Sequence, residues 1–257
     1  MSSAATTDGP GDPFAEALEL VEAAAANEIP LRLVGGFAVR VLTPRFPPRI
    51  RDGQDIDLAS TSAWRVALTE LFETRGYEPD RHFNALYGHK QLYFGSPTGR
   101  AVDVIIDTLE MCHTLPFAER ISRLPLTLDA SDVLLSKLQI VELNEKDVQD
   151  IVYLLGAIPV ETGDRPGTVG LERIGELVQG DWGWWRTVSM NLERVRTLVS
   201  AERPDVVPSD AQLDVLAQID RLLAWIDSVP KTRRWRLRSR IGDRKRWYRL
   251  PDETAHG

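Results

Sequence analysis

Three stretches set the architecture of this chain: Val34-Gly35-Gly36, then Gln54-Asp55-Ile56-Asp57-Leu58, then Ala101-Val102-Asp103-Val104-Ile105-Ile106-Asp107. The glycine pair follows the apolar run Leu31-Arg32-Leu33-Val34 and precedes Phe37-Ala38-Val39, so it reads as a strand-to-helix turn. Glycine has no Cβ and a helix N-terminus offers unpaired N–H groups, so such a turn lets a phosphate approach the backbone. Asp55 and Asp57 are two residues apart, which on a strand turns both carboxylates to one face. Asp103 meets them if its strand lies alongside. Singly, each motif also arises by chance: Gly-Gly marks many turns, and Asp-hydrophobic-Asp is common. Their context argues for chemistry, because carboxylates in half-buried strands are costly unless a cation or metal offsets them. Three convergent carboxylates beside a phosphate cradle suit Mg²⁺-dependent phosphoryl or nucleotidyl transfer. Mg²⁺ binds a few carboxylates and takes the substrate's phosphate oxygens as its other ligands.

The flanking pattern predicts an α+β fold, a small mixed sheet with flanking helices, followed by a helical C-terminal region. An amphipathic helix is expected over Pro13–Ala26, strand one over Leu31–Val34 and strand two around Asp55 and Asp57. Ser60 or Ser62 is expected to cap a helix reaching Arg75, where Gly76 stops it. Strands over Lys90–Phe94 and Ala101–Asp107 flank a Gly/Pro-rich hairpin loop. Beyond it, Ser131-Asp132 is expected to cap a helix over Val133–Leu143, with another over Lys146–Leu155. Gly163–Gly167 reads as a linker before helical patterns at Thr168–Gln179, Trp184–Ala201 and Ser209–Ser228. Trp182, Trp184 and Trp185 read as helix-packing core. The expected division is a disordered N-terminus (1–12), a catalytic domain (13–125), a helical domain (126–230) and a basic tail (231–257).

In this order, Gly35-Gly36, Arg51 and Asp55-x-Asp57 resemble the nucleotidyltransferase superfamily that shares a fold with DNA polymerase β, and within it the AbiEii-type toxin nucleotidyltransferases. Ser136-Lys137-Leu138 is similar to that family's lysine helix, and Lys146-Asp147-Val148-Gln149-Asp150 to its fourth block. The likeness covers roughly residues 30–155 and departs at Gly53, where the family more often carries Thr or Ser. It implies an NTP held over Gly35 and Gly36, with Arg49, Arg51, Lys137 and Lys146 near its phosphates or base. It implies Asp55, Asp57 and Asp103 on a two-metal Mg²⁺ site, catalytic roles for Asp147 and Asp150, tRNA as acceptor, and a cognate antitoxin as partner.

The 257 residues are 43 % apolar and 27 % charged, the composition of an ordinary soluble protein. The lone cysteine, Cys112, forms no internal disulfide, and no apolar run reaches membrane length, so a cytoplasmic location is expected. His82, His89, His113 and His256 lack ligand spacing. Lys231–Arg249 carries ten Lys/Arg against Asp243 alone, whereas residues 1–230 carry 21 basic and 35 acidic side chains, a net of −14. Arg233, Arg234, Arg236 and Arg238 interleave with Trp235, and a basic aromatic segment of this kind suits RNA. Its alternative is docking on the chain's own acidic body. The functional expectation is transfer of an NMP from an NTP to a hydroxyl, on RNA or on a small molecule; the other class is a silent nucleotide-binding module.

Overall fold

The computed structural model describes residues 11–47 and 55–250. Helix α1 (Pro13–Ala26) starts with Pro13 in its first turn and the Asp12 carboxylate accepting from the Phe14 N–H. Strand β1 (Arg32–Leu33) leads into α2 (Gly35–Leu42), and β2 (Ile56–Ser60) is followed by α3 (Arg65–Thr74). Then come β3 (Glu78–Pro79), α4 (Arg81–Tyr87), β4 (Gln91–Gly95), β5 (Ala101–Ile106) and the small hairpin β6 (Thr108–Glu110) and β7 (Thr114–Pro116). Helices α5 (Ala130–Leu138) and α6 (Glu145–Ala157) precede a short parallel pair, β8 (Val160–Glu161) and β9 (Val169–Gly170). Helices α7 (Leu171–Gly180), α8 (Trp182–Val206), α9 (Val215–Ser228) and α10 (Arg233–Ser239) follow.

Five strands form one sheet in the order β1-β2-β5-β4-β3, parallel between β2 and β5 and antiparallel elsewhere. The predicted α+β class, a small mixed sheet with flanking helices and a helical C-terminal region, is therefore observed. Alternation sorts the side chains of β5: Val102, Val104 and Ile106 are buried, while Ala101, Asp103 and Ile105 point to the other face. On the buried side Phe94 meets Phe72 of α3 edge-on at 4.6 Å between ring centroids. The opposite face carries the acidic side chains.

Several boundaries differ from expectation for identifiable reasons. Neither Ser60 nor Ser62 caps a helix: Ser60 Oγ donates to the Pro30 carbonyl, and the Ser62 N–H donates to Asp107 Oδ1. The cap of α5 is Asp129, not Ser131-Asp132, and the helix ends at Leu138 rather than Leu143. Asp132 is instead fully buried between Arg120 and Arg173. Gly163–Gly167 is not a plain linker, because Asp164 joins Arg120 and Arg123 and the Gly167 N–H reaches Asp129 Oδ1.

The basic segment packs on the protein's own helices. Trp235 meets Trp185 edge-on at 5.3 Å, and the Arg238 guanidinium sits 4.5 Å from the Trp182 ring centroid. Arg186 and Asp243 form a two-bond ion pair. Thr187 Oγ1 accepts from Trp247 Nε1 and meets His113 Nε2, a ring whose burial pushes its pKa down to about 4. The Arg249 N–H donates to the Cys112 carbonyl at 2.9 Å. Trp182 and Trp184 are buried, as expected of helix-packing residues.

Candidate active site

The register of β2 and β5 places Asp57 beside Asp103. Directly paired residues of a parallel ladder share a face, so both carboxylates rise from the same side of the sheet. Asp55 lies just before β2 and is exposed; its separation of two residues keeps it on that face. Burial, then the charge of Asp103, raises the Asp57 carboxyl to about 6; Asp55 adds to the rise and Lys137 opposes it. Gln91, on β4, donates its amide to Asp103 Oδ1.

Gly35 closes one side of the site. Its φ of +59° is a left-handed conformation that costs side-chain-bearing residues energy. A Cβ at this position would stand 2.8 Å from Asp57 Oδ2, closer than any real contact. Glycine thus suits the backbone geometry, and any larger residue would force the Asp57 carboxylate to shift. The Val34 N–H donates to the Asp57 carbonyl at 3.1 Å, which fixes the turn to β2. Helix α2 begins at Gly35 with no side chain capping it, and this first residue lies against the Asp57 carboxylate.

Lys137 lies in the last turn of α5, and its ammonium group contacts Asp147 Oδ1 at 3.1 Å and Asp150 Oδ2 at 3.0 Å. Burial lowers its pKa, but Asp150 and Asp147 outweigh that and raise it, so it is a cation at neutral pH. Val34, Gly35, Asp57, Ile105, Ser136 and Lys137 line a cleft of about 110 Å³. Lys146 is exposed at the start of α6. Arg49, Arg51 and Gly53 lie outside the described residues.

Among the described residues no three His, Cys, Asp or Glu side chains gather into a ready-made metal cage. An all-oxygen pair of adjacent carboxylates, one with a raised pKa, beside a glycine cradle still fits Mg²⁺. That ion is ordinarily held by one or two carboxylates together with substrate phosphates. Sequence reasoning missed Gln91 and Tyr93, which share the acidic face at positions opposite β5. Their only signal was alternation along β4, and the register that aims them at Asp103 is not written in the sequence.

No family model and no curated protein matches the chain. Among solved structures it is similar to ANT(2")-Ia in complex with adenylyl-2"-tobramycin, at 12 % identity and a TM-score of 0.38, covering 55 % of this chain and 86 % of that one. It is also similar to the solution structure of the antibiotic-resistance factor ANT(2'')-Ia, at 12 % identity and a TM-score of 0.40, covering 74 % and 96 %. A third is an antigenic nucleotidyltransferase-like protein from Paracoccidioides brasiliensis, at 14 % identity and a TM-score of 0.40, covering 78 % and 96 %. Likenesses this distant concern the arrangement of elements, and the functional reading rests on the site itself. Among the described residues no helix is long and apolar enough to cross a membrane.

Proposed function

We propose that this chain is a Mg²⁺-dependent nucleotidyltransferase that moves an NMP from an NTP to a hydroxyl group. The observation that carries the reading is the pairing of Asp57 with Asp103 directly beneath the Gly35 turn. Two adjacent carboxylates repel each other, and a divalent cation shared between them offsets that repulsion.

The triphosphate lies along the Gly35–Gly36 turn, where backbone N–H groups and the end of α2 receive its oxygens. Asp57, Asp103 and Asp55 would hold Mg²⁺, which when bound supplies charge neutralisation at the phosphates. Asp103 accepts the proton of the acceptor hydroxyl, and Gln91 keeps that carboxylate aimed. The hydroxyl oxygen bonds to the α-phosphorus as the bond to the β-phosphate oxygen breaks, and pyrophosphate leaves. Lys137 places positive charge at the cleft floor, with Asp147 and Asp150 holding it in position. Arg49 and Arg51 are proposed to add charge at the triphosphate.

For the acceptor we favour RNA, of the tRNA kind that the toxin-like order of sequence blocks suggests, with a cognate antitoxin as a partner to seek. Arg233, Arg234 and Arg236 are exposed on α10, which supports contact with phosphates. A second reading, a small-molecule acceptor, is favoured by the packing of Trp235 on Trp185 and of Arg238 on Trp182, which uses those side chains internally. Incubation with each α-labelled NTP, Mg²⁺, total RNA and a mixture of small hydroxyl compounds separates the two. Label in macromolecular product supports RNA; label only in small hydroxyl compounds supports the second reading.

A further inference from the structure

The chain leaves β5 through Asp107, whose φ of +60° turns it sharply into the hairpin β6–β7. The Asp107 carbonyl accepts from the Phe117 and Ala118 N–H groups, so the base of the hairpin is closed against the end of β5. Two side chains from this unit line the cleft beside Asp57: Leu109 on β6, and Phe117 just after β7. Strand β7 is tied to the helical region. Trp184 Nε1 donates to the Thr114 carbonyl at 3.2 Å, and the Arg173 guanidinium donates to the Pro116 carbonyl. Strand β6 and the tip of the hairpin have a different support.

That support is the C-terminal segment, which reaches the hairpin at three points. The Arg249 guanidinium faces Glu110 at 3.6 Å, and the Arg249 N–H donates to the Cys112 carbonyl at 2.9 Å. The third link is a relay. Trp247 Nε1 donates to Thr187 Oγ1 at 3.0 Å, which leaves the Thr187 proton for His113 Nε2, 2.8 Å away. Burial keeps the His113 ring neutral at ordinary pH, and a neutral imidazole has one accepting nitrogen. Successive hydrogen bonds of this kind polarise and strengthen one another.

The segment does not run there for the sake of the core: among the described residues none after Ile226 is buried. Its path is nevertheless accommodated by the helices below. A Cβ at Gly183, in the first turn of α8, would stand 2.6 Å from the Trp247 carbonyl oxygen, so the missing side chain gives the backbone room to pass. Trp247 also stands edge-on to Trp182 at 6.0 Å. One end of the hairpin is thus fixed at Asp107 beside the site, and the other is fixed by residues more than 130 positions later in the chain.

We propose that Trp247 and Arg249 are positioning residues of the nucleotide cleft: the C-terminal segment is a strap that holds the tip of β6–β7 and, through it, keeps Leu109 and Phe117 against the cleft. The strap deepens the nucleotidyl-transfer reading and rests on it for the cleft's occupant. Contiguous hydrogen bonds and packed side chains carry such coupling from one element to the next.

The test uses the full chain and two variants that cut the relay from different sides, Trp247→Ala and Thr187→Val, with Thr187→Ser as the conservative control and Tm checked for each. Backbone amide exchange is followed across residues 108–116 and, for comparison, across β2 and β5. Affinity for ATP, GTP, CTP and UTP, each with Mg²⁺, is measured by equilibrium titration. Both cutting variants should speed exchange in the hairpin but not in β2 and β5. They should also raise the Kd of whichever NTP the wild type binds by roughly 2- to 30-fold. Thr187→Ser should keep wild-type exchange and affinity. Wild-type exchange in the hairpin of both cutting variants overturns the strap. Faster exchange with unchanged NTP affinity overturns its link to the cleft, since a merely structural contact would behave that way. If the wild type binds none of the four nucleotides, the nucleotidyl-transfer reading falls, and exchange alone decides whether the strap holds the hairpin.

Discussion

Asp57 on β2 and Asp103 on β5 are partners in the same rung of a parallel ladder, with Gly35 packed so close to Asp57 that no Cβ fits between them. The two strands come from sequence segments about 45 residues apart, yet their register brings two like charges side by side. The mutual repulsion and burial that raise Asp57 to about 6 are a standing cost to the unliganded fold.

That cost has a pH signature. Asp57 is raised in the folded state, so the fold binds its proton more tightly than the unfolded chain does. The penalty is absent below the unfolded value near 4 and complete above about 6. Asp57→Asn removes it, and should stabilise the metal-free protein by roughly 1–3 kcal/mol at pH 7.5 and hardly at all at pH 3.5. Chemical denaturation at both pH values reads this out; equal stability of the two proteins at pH 7.5 contradicts it.

Gly35→Ala should cost stability and substrate binding together. The left-handed conformation alone penalises alanine by about 1–2 kcal/mol, and the new methyl group must displace Asp57 Oδ2. Thermal unfolding and NTP titration on the same variant check both effects. An unshifted Tm would show that the turn is not held as described.

Lys137 is held between two buried acids, so Lys137→Ala removes the cation that Asp147 and Asp150 both contact and should destabilise the fold by about 3–5 kcal/mol. Adding Asp150→Asn should restore part of that loss. A double-mutant cycle by urea denaturation measures the coupling. Additive losses would mean that the ion pair contributes nothing.

The basic segment should separate into structural and surface residues. Neutralising the exposed Arg233, Arg234 and Arg236 to Gln should leave stability within about 0.5 kcal/mol of wild type. It should also flatten the slope of log RNA affinity against log salt by up to roughly 2, about 0.7 per lost single-strand phosphate contact. Deleting residues 231–257 uncovers Trp182 and Trp185 and should lower the Tm and increase dye binding to apolar surface. An unchanged Tm would contradict the packing.

How much of this was legible in the sequence depended on periodicity. Helix α1 and the strands bearing Asp57 and Asp103 followed from apolar spacing, since each buries one face. Helix α4 escaped because Arg81–Tyr87 buries no residue and so carries no apolar stripe. The three-residue strands β6 and β7 are too short to show alternation. The ion cluster of Arg120, Arg123 and Arg173 with Asp129, Asp132 and Asp164 joins residues up to 44 positions apart, and no local pattern announces it. Trp235 read as a ring for RNA because composition shows an aromatic among cations but not the Trp185 packed against it. In the site, the acidic face was readable from spacing, whereas the neighbours that aim it, Gln91 and Tyr93, depended on register.

The central claim is that Asp57 and Asp103 together support nucleotidyl transfer. The direct measurement is release of pyrophosphate and incorporation of label from α-labelled NTP into an acceptor, with Mg²⁺, for wild type, Asp57→Asn and Asp103→Asn, each verified as folded. The account predicts transfer by wild type and a loss of about 10²-fold or more in each variant, in keeping with removal of a transition-state charge partner. Transfer by either variant at the wild-type rate, or none by the folded wild type with any NTP and acceptor, contradicts it.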